Sequence, residues 1–220
     1  MAYSVGFLFK LATAMGLYKR LGRFYDRFSK HYGPDFRALN WTSTASQEKR
    51  FNVIAELLPQ KCSINDVGCG HGDLWTYLTE KESKTILDYW GYDLSQSVLN
   101  NITDRIKSRK EVSFYHVSGP DLLFSADYSI ASGIFNTNFR ISLRRQHLDT
   151  FEQVLGAMWE KSTQGIIFNV MTRKVKESYD GLFYFDQSYI EDFLANNFTD
   201  KFEVKSNYDP VDVTFFASKT

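Results

Sequence analysis

Apolar residues recur along this chain with two different periods, and the places where the period changes outline its elements. Leu8, Leu11, Met15 and Tyr18 return at helical spacing, which predicts a helical region over 1–32 ended by the breaker "YGPD" at 32–35. A second helix is predicted from Ser43 to Leu58, with Phe51, Ile54, Leu57 and Leu58 apolar and Pro59 stopping it. Beyond Pro59, short apolar runs alternate with helical patterns. "SINDV" (63–67), "DYWGYD" (88–93), "VSFYHV" (112–117), "YSIAS" (128–132) and "GIIFNVM" (165–171) read as strands.

The intervening segments carry start signals for helices. Ser95 is placed to cap a helix with Val98, Ile102 and Ile106 on one face, and Ser142 one with Phe151, Val154, Leu155 and Met158 inward. Ser188 and Glu191 make an S-x-x-E box ahead of Ile190, Phe193, Leu194 and Phe198. The final "FEVKSNYDPVDVTFFAS" (202–218) is two strands around a tight turn, an antiparallel hairpin. Alternating strand and helix implies an α/β fold: a mostly parallel sheet, here of seven strands, with right-handed crossovers and helices on both faces. Residues 1–42 then form an N-terminal helical extension or cap, and 43–220 the main domain.

At 220 residues, 43% hydrophobic and 24% charged, the chain suits one domain with a sizeable core. Many of its 19 Phe and 13 Tyr are expected in the core, with any surplus available to line an organic pocket. Twenty-six basic residues balance 26 acidic ones, which argues against broad electrostatic capture of nucleic acid. Cys62 and Cys69 make no disulfide framework, and a reduced, cytoplasmic chain is expected. The apolar N-terminal run is interrupted by Lys10 and followed by Lys19, Arg20 and Arg23, the reverse of a signal peptide. The helix there is read as packed on the domain or a partner, with contact to a membrane surface as the alternative.

The chemistry concentrates in "INDVGCGHGDLW" (64–75), where Asp66 precedes Gly68, Gly70 and Gly72 between a strand and a helix. Such a loop tolerates positive φ, lets a backbone approach a ligand and presents free N–H groups. The dinucleotide fingerprint G-x-G-x-x-G is not met, because Asp73 stands where the third glycine belongs. "DVGCGHG" instead resembles the D-x-G-x-G-x-G motif of class I S-adenosylmethionine-dependent methyltransferases. Asp93, ending the second strand in "GYDLS", sits where that family binds the cofactor ribose, and two carboxylate oxygens match two vicinal hydroxyls. The terminal hairpin is the third likeness, so the resemblance spans about 45–218 and implies a Rossmann-like sheet and S-adenosylmethionine as cofactor.

The resemblance further implies cofactor contacts at Asp66, Gly68, Cys69, Gly70, Gly72, Asp93 and Leu94, with Ser132 at the fourth-strand exit. Family members usually carry a G-D pair after strand three against adenine; "VSGPDLL" leaves Ser118 and Asp121 as alternatives. Arg50 is a candidate for the cofactor's carboxylate, with Trp41 and Gln47 nearby in sequence. "DYSIASGIFN" and "LNWTSTASQEKRFNVI" look like bacterial methyltransferases of the small-molecule type, and "SGIFN" replaces the N/D-P-P-Y of methyltransferases that act on exocyclic amines of bases or on glutamine amides.

On the acceptor side, His147 is the candidate base, with an unperturbed pKa of ~6.5. Arg140, Arg144 and Arg145 are candidates to fork onto an acidic group, and Asn136 and Tyr184 to line the acceptor site. The aromatic stretch 179–189 is placed to close over an organic substrate. No His, Cys and Asp set has metal-ligand spacing, so no metal is expected. The expected activity is methyl transfer to a small, anionic metabolite. The alternatives are an inactive cofactor-binding module working through a protein partner, and a methyltransferase for protein or RNA.

Overall fold

The computed structural model of the chain describes residues 5–41, 43–120, 122–138, 144–172 and 181–220, and of 5–15 the backbone alone. Helix α1 (Val5–Tyr32) leads into a 3₁₀ turn (Phe36–Leu39) opened by the Asp35 carboxylate, which accepts from the Arg37 N–H. Helix α2 (Thr44–Leu57) starts at Ser43, whose hydroxyl accepts from the Ser46 N–H at 3.1 Å. Strand and helix then alternate: β1 (Lys61–Val67), α3 (Asp73–Thr76) continued by a wider π-type turn (Tyr77–Lys81), β2 (Thr85–Asp93), α4 (Gln96–Asn100), α5 (Asp104–Lys107), β3 (Val112–His116) and β4 (Ala126–Ala131). After them come α6 (Arg144–Lys161), β5 (Ser162–Met171), α7 (Gln187–Asn197) and the hairpin β6 (Phe202–Lys205) and β7 (Asp212–Ser218).

The seven strands make one sheet in the order β3-β2-β1-β4-β5-β7-β6. The first five are parallel, and β7 runs antiparallel to both β5 and β6. The order reverses between β1 and β4, and that reversal opens a crevice at the carboxyl ends of the strands. Because helices cover both faces, the central strand β5 is buried and apolar on both over most of its length. In β5, Ile166, Phe168 and Val170 face a core built with Phe151, Leu155 and Met158 of α6. Ile167 faces the opposite core, built with Phe51 and Ile54 of α2 and Leu74 of α3.

Two helix starts differ from the sequence pattern. The segment after Ser95 is two short helices, because Thr103 is extended (ψ 146°) and restarts the turn; Ile102 and Ile106 are buried all the same. Helix α7 is capped by Asp186, which accepts from the Ser188 N–H at 3.2 Å, so Ser188 lies inside the first turn and Glu191 pairs with Gln187. Ser142 lies outside the described residues.

Helix α1 is tied across the strand ends by polar contacts that its sequence period does not advertise. Asp26 accepts from the Ser95 hydroxyl (2.6 Å) and the Ser97 N–H (3.1 Å), Ser29 accepts from Asn101, and Tyr25 meets the Thr137 hydroxyl. At Gly22 the helix backbone passes so close that a Cβ would stand 2.6 Å from the Leu94 carbonyl oxygen, whereas a Cβ at Gly16 would meet nothing. Among the described residues no helix is long and apolar enough to cross a membrane. These two glycines should respond oppositely to alanine. Gly22→Ala is expected to cost ~1–3 kcal/mol by overpacking, and Gly16→Ala to add ~0.5–1 kcal/mol through helix propensity; urea midpoints of the two variants test the sign.

Candidate functional site

A cavity of about 400 Å³ lies at the carboxyl ends of β1, β2, β4 and β5, within the usual ~300–1,000 Å³ of small-molecule pockets. Its floor is the loop after β1. Gly68, Gly70 and Gly72 all adopt positive φ (78°, 57° and 78°), a conformation in which any other residue is strained. Two of them are also hemmed in by the protein itself: a Cβ on Gly68 would strike the Ile134 side chain, and one on Gly70 would stand 2.7 Å from Leu39.

The loop's N–H groups, by contrast, are spent internally. Gly68 and Cys69 donate to the Tyr92 carbonyl (2.7 and 3.0 Å), Gly70 to Asp93 Oδ2 (3.1 Å) and Gly72 to the Cys69 carbonyl (3.0 Å). The free N–H groups expected from the sequence are therefore absent at these four positions. A pyrophosphate would need such donors; a ligand that only has to lie against the loop would not.

Two carboxylates flank the loop. Asp66 is buried beneath it and accepts from the Tyr89 hydroxyl; burial pushes its pKa up to about 7 against that hydrogen bond. Asp93 accepts from the Ser95 N–H (2.8 Å) through Oδ1 and from Gly70 through Oδ2, and burial pushes it up to about 6. Each Asp93 oxygen keeps a free lone pair, which suits a vicinal diol. Along the cavity wall, Arg50 donates through Nε to Asp212 Oδ2 (2.7 Å), contacts it again through Nη2, and lies over the Trp41 ring at 4.3 Å. Its Nη1 is buried with no hydrogen-bond partner. A cradle without side chains, a diol-matching carboxylate and an unsatisfied buried guanidinium N–H fit the three parts of an adenosyl amino acid.

Comparison with known proteins bears on this site. A protein of Mycobacterium tuberculosis (strain H37Rv) carrying the name "Putative methyltransferase Rv1506c" is 31% identical over 159 residues, which is 71% of this chain and 93% of that protein. The chain belongs to the class I methyltransferases. No family model matches it. Among solved structures, magnesium protoporphyrin IX methyltransferase from Synechocystis PCC 6803 with bound S-adenosylhomocysteine superposes with a TM-score of 0.65, covering 92% of this chain and 99% of that one at 13% identity. The pyocyanin biosynthetic protein PhzM gives 0.62, covering 90% and 62% at 16% identity. At such identities the likeness is one of fold.

Within this methyltransferase, Arg50, Asp66, Gly68, Cys69, Gly70, Asp93, Leu94, Ser132 and Asn136 all line the cavity. Gly72 stands behind the loop, where a Cβ would approach Phe114 at 3.3 Å. Ser118 is exposed and outside the lining, which continues instead through Val117, Gly119 and Pro120. Asp121 and Arg140 lie outside the described residues. Arg144 and Arg145 are exposed on the first turn of α6 and away from the lining, with Arg144 over the Phe183 ring at 5.2 Å.

The candidate base is displaced as well. His147 is buried, stacks on Phe183 (4.0 Å between centroids, 13°), and its Nε2 makes a 2.7 Å hydrogen bond to the Phe135 carbonyl. A carbonyl accepts, so Nε2 carries the proton. Desolvation lowers its pKa to about 4. The ring packs in an aromatic cluster with Phe183 and Phe185 and is not among the residues lining the cavity. Of the described part of the stretch 179–189, residues 181–189, Phe183, Tyr184 and Phe185 are buried and Leu182 reaches the lining. No group of three metal-ligating side chains occurs among the described residues.

Sequence reading missed three residues that shape the site. Asn169, in the middle of apolar β5, accepts from the Gly133 N–H (2.8 Å) and donates to the Ser132 hydroxyl, fixing the β4 exit. Asp212, at the start of β7, holds Arg50, and Asp26 holds α1. A polar residue inside an apolar strand is the available signal for the first. For His147 the expected outcome is structural: His147→Ala should lose ~2–4 kcal/mol from the vacated volume and the orphaned Phe135 carbonyl. Turnover per folded molecule should keep its pH profile, which a urea titration beside a pH–rate series will check.

Proposed function

We propose that the protein transfers a methyl group from S-adenosylmethionine to a small, largely apolar organic acceptor held beneath α1. The observation that carries this reading is the composition of one cavity: the β1 loop, Asp93 and the free Nη1 of Arg50 on one side, Tyr18, Leu21 and Tyr25 of α1 on the other. In this reading Asp93 takes the ribose hydroxyls, Arg50 the carboxylate, and Gly68, Cys69, Gly70, Leu94 and Ser132 enclose the rest. Residues 1–42 act as the cap of the domain formed by 43–220. The sulfonium donor is already activated, so the protein's task is alignment and exclusion of water.

Asn136, Thr137, Met171 and Leu182 line the same space and supply the acceptor side in this reading. Among the described residues, the charged members of the lining are Arg50 and the aspartates Asp66, Asp93, Asp209 and Asp212, whereas Arg144 and Arg145 are exposed away from it. That balance supports a neutral or cationic acceptor. Two fold neighbours support a small acceptor by what they are called: magnesium protoporphyrin IX methyltransferase, and a Haemonchus contortus phosphoethanolamine N-methyltransferase solved with phosphomonomethylethanolamine.

A panel of small amines, phenols and carboxylic acids, incubated with methyl-labelled cofactor and followed by S-adenosylhomocysteine release, tests the reaction. Cofactor binding without turnover on any of them would leave a binding module instead of an enzyme. The Asp93 role has its own pH signature. Its pKa of about 6 in the ligand-free protein lies above the unfolded value, so ionisation costs stability as pH rises from about 4 through 6. Asp66 acts in the same direction up to about 7. Hydroxyls donated to Asp93 favour its ionised form, so S-adenosylhomocysteine should bind more weakly as pH falls below about 6. Asp93→Asn should remove most of that dependence and weaken binding by ~1.5–3 kcal/mol; calorimetry at several pH values reads both.

A further inference from the structure

Helix α1 carries two faces of opposite character. Tyr18, Gly22, Tyr25, Asp26 and Ser29 lie on the side that meets the cavity and α4. Lys19, Arg20, Arg23, Arg27 and Lys30 lie on the other side, and all five are exposed. At 3.6 residues per turn they fill an arc of about 100°. Gly16 falls inside that arc, and a Cβ there would meet nothing within 4 Å. Among the described residues none of the five cations forms an ion pair.

The charge is local to this helix. Residues 1–34 hold six Lys and Arg and one acid, Asp26, in a chain whose 26 basic and 26 acidic residues balance. Asp26 is turned inward onto Ser95 and Ser97, so it does not offset the row. Beside the basic arc, Phe24, Phe28 and Tyr32 form a partly exposed aromatic row, with 4.2 Å between the first two ring centroids. The helix also opens on an apolar run: "VGFLFKLATAM" (5–15) has one charge, Lys10. Cations edged by aromatic rings and headed by an apolar run match an interface with charge above and hydrocarbon below. A nucleic acid backbone would use the cations and leave the apolar part unmatched.

We propose that the outer face of α1 docks the protein on an anionic lipid bilayer. The helix lies on that surface and does not span it, since no helix among the described residues is long and apolar enough to cross. Docking brings the roof of the cavity, formed by Tyr18, Leu21 and Tyr25 of the same helix, to the headgroup layer. The attraction falls off within a Debye length, ~8 Å at physiological salt, so it acts only on cations held close to the surface.

Flotation of the full chain with vesicles of phosphatidylcholine alone, or with ~30% phosphatidylglycerol added, tests this face. Recovery with the anionic vesicles is expected at ~0.15 M salt, falling about tenfold or more at ~0.5 M salt or without phosphatidylglycerol. Arg20→Glu with Arg23→Glu and Arg27→Glu should lose about tenfold or more in vesicle binding. Its melting temperature should be kept, because all three side chains are exposed. The control Lys107→Glu with Arg109→Glu and Lys110→Glu removes the same charge from exposed positions elsewhere and should retain binding. Equal loss in the control would overturn the proposal, because attraction would then follow net charge and not α1. Absence of binding to the anionic vesicles would overturn it too, as would preferential capture of a short RNA or DNA duplex at the same salt. Should the triple reversal not fold, Arg20→Gln with Arg23→Gln and Arg27→Gln removes the charge without reversing it. Unchanged vesicle binding in that variant refutes the docking face.

Discussion

The bridge made by the Asp93 carboxylate is the contact on which the rest of this site depends. One oxygen fixes Gly70 in the loop after β1 and the other fixes Ser95 at the start of α4, so a single side chain joins two crossovers of the sheet. The cost is a buried charge, visible as a pKa pushed up to about 6. A second carboxylate, Asp66, lies under the same loop and is raised further. Both are raised mainly by desolvation, which disfavours their charged forms in the ligand-free protein.

The bridge extends outward to the helix that roofs the cavity. Ser95 gives its N–H to Asp93 and its hydroxyl to Asp26 of α1, so roof and floor share one residue. Gly22 lets α1 descend onto the Leu94 carbonyl, and Gly70 lets Leu39 descend onto the loop. The glycines thus serve close packing of the cap on the floor as much as approach of a ligand. The segment before Ser43 is thereby part of the cavity's architecture.

Much of this was legible in the sequence where a local rule decided the outcome. The five parallel strands and the hairpin follow from runs such as "GIIFNVM", and the Asp66–glycine–Asp93 spacing located the floor. What was not legible depended on partners distant in sequence. Ser188 fits a capping box, yet Asp186 is two residues earlier and captures the start of α7. His147 has a suitable chemistry but faces inward on α6, because the aromatic side chains of the 183–185 stretch fold back as core and not as a lid. Arg144 and Arg145 of the same turn are exposed for the complementary reason: the buried face of α6 runs through His147, Thr150, Phe151, Val154, Leu155 and Met158.

The pairing of Arg50 with Asp212, residues from α2 and from β7, could be read from neither local pattern. Replacing a buried ion pair by apolar residues is often neutral or stabilising, so stability alone gives little reason to keep one. Apolar residues at these two positions would also close the wall without leaving polar atoms unsatisfied. What the pair does is join distant parts of the cavity wall: Nε and Nη2 of Arg50 both reach Asp212 Oδ2, Trp41 covers the guanidinium face, and both partners belong to the lining. Removing one partner of a buried pair leaves an uncompensated charge, so the contact fixes how α2 and β7 meet even where it adds little to stability.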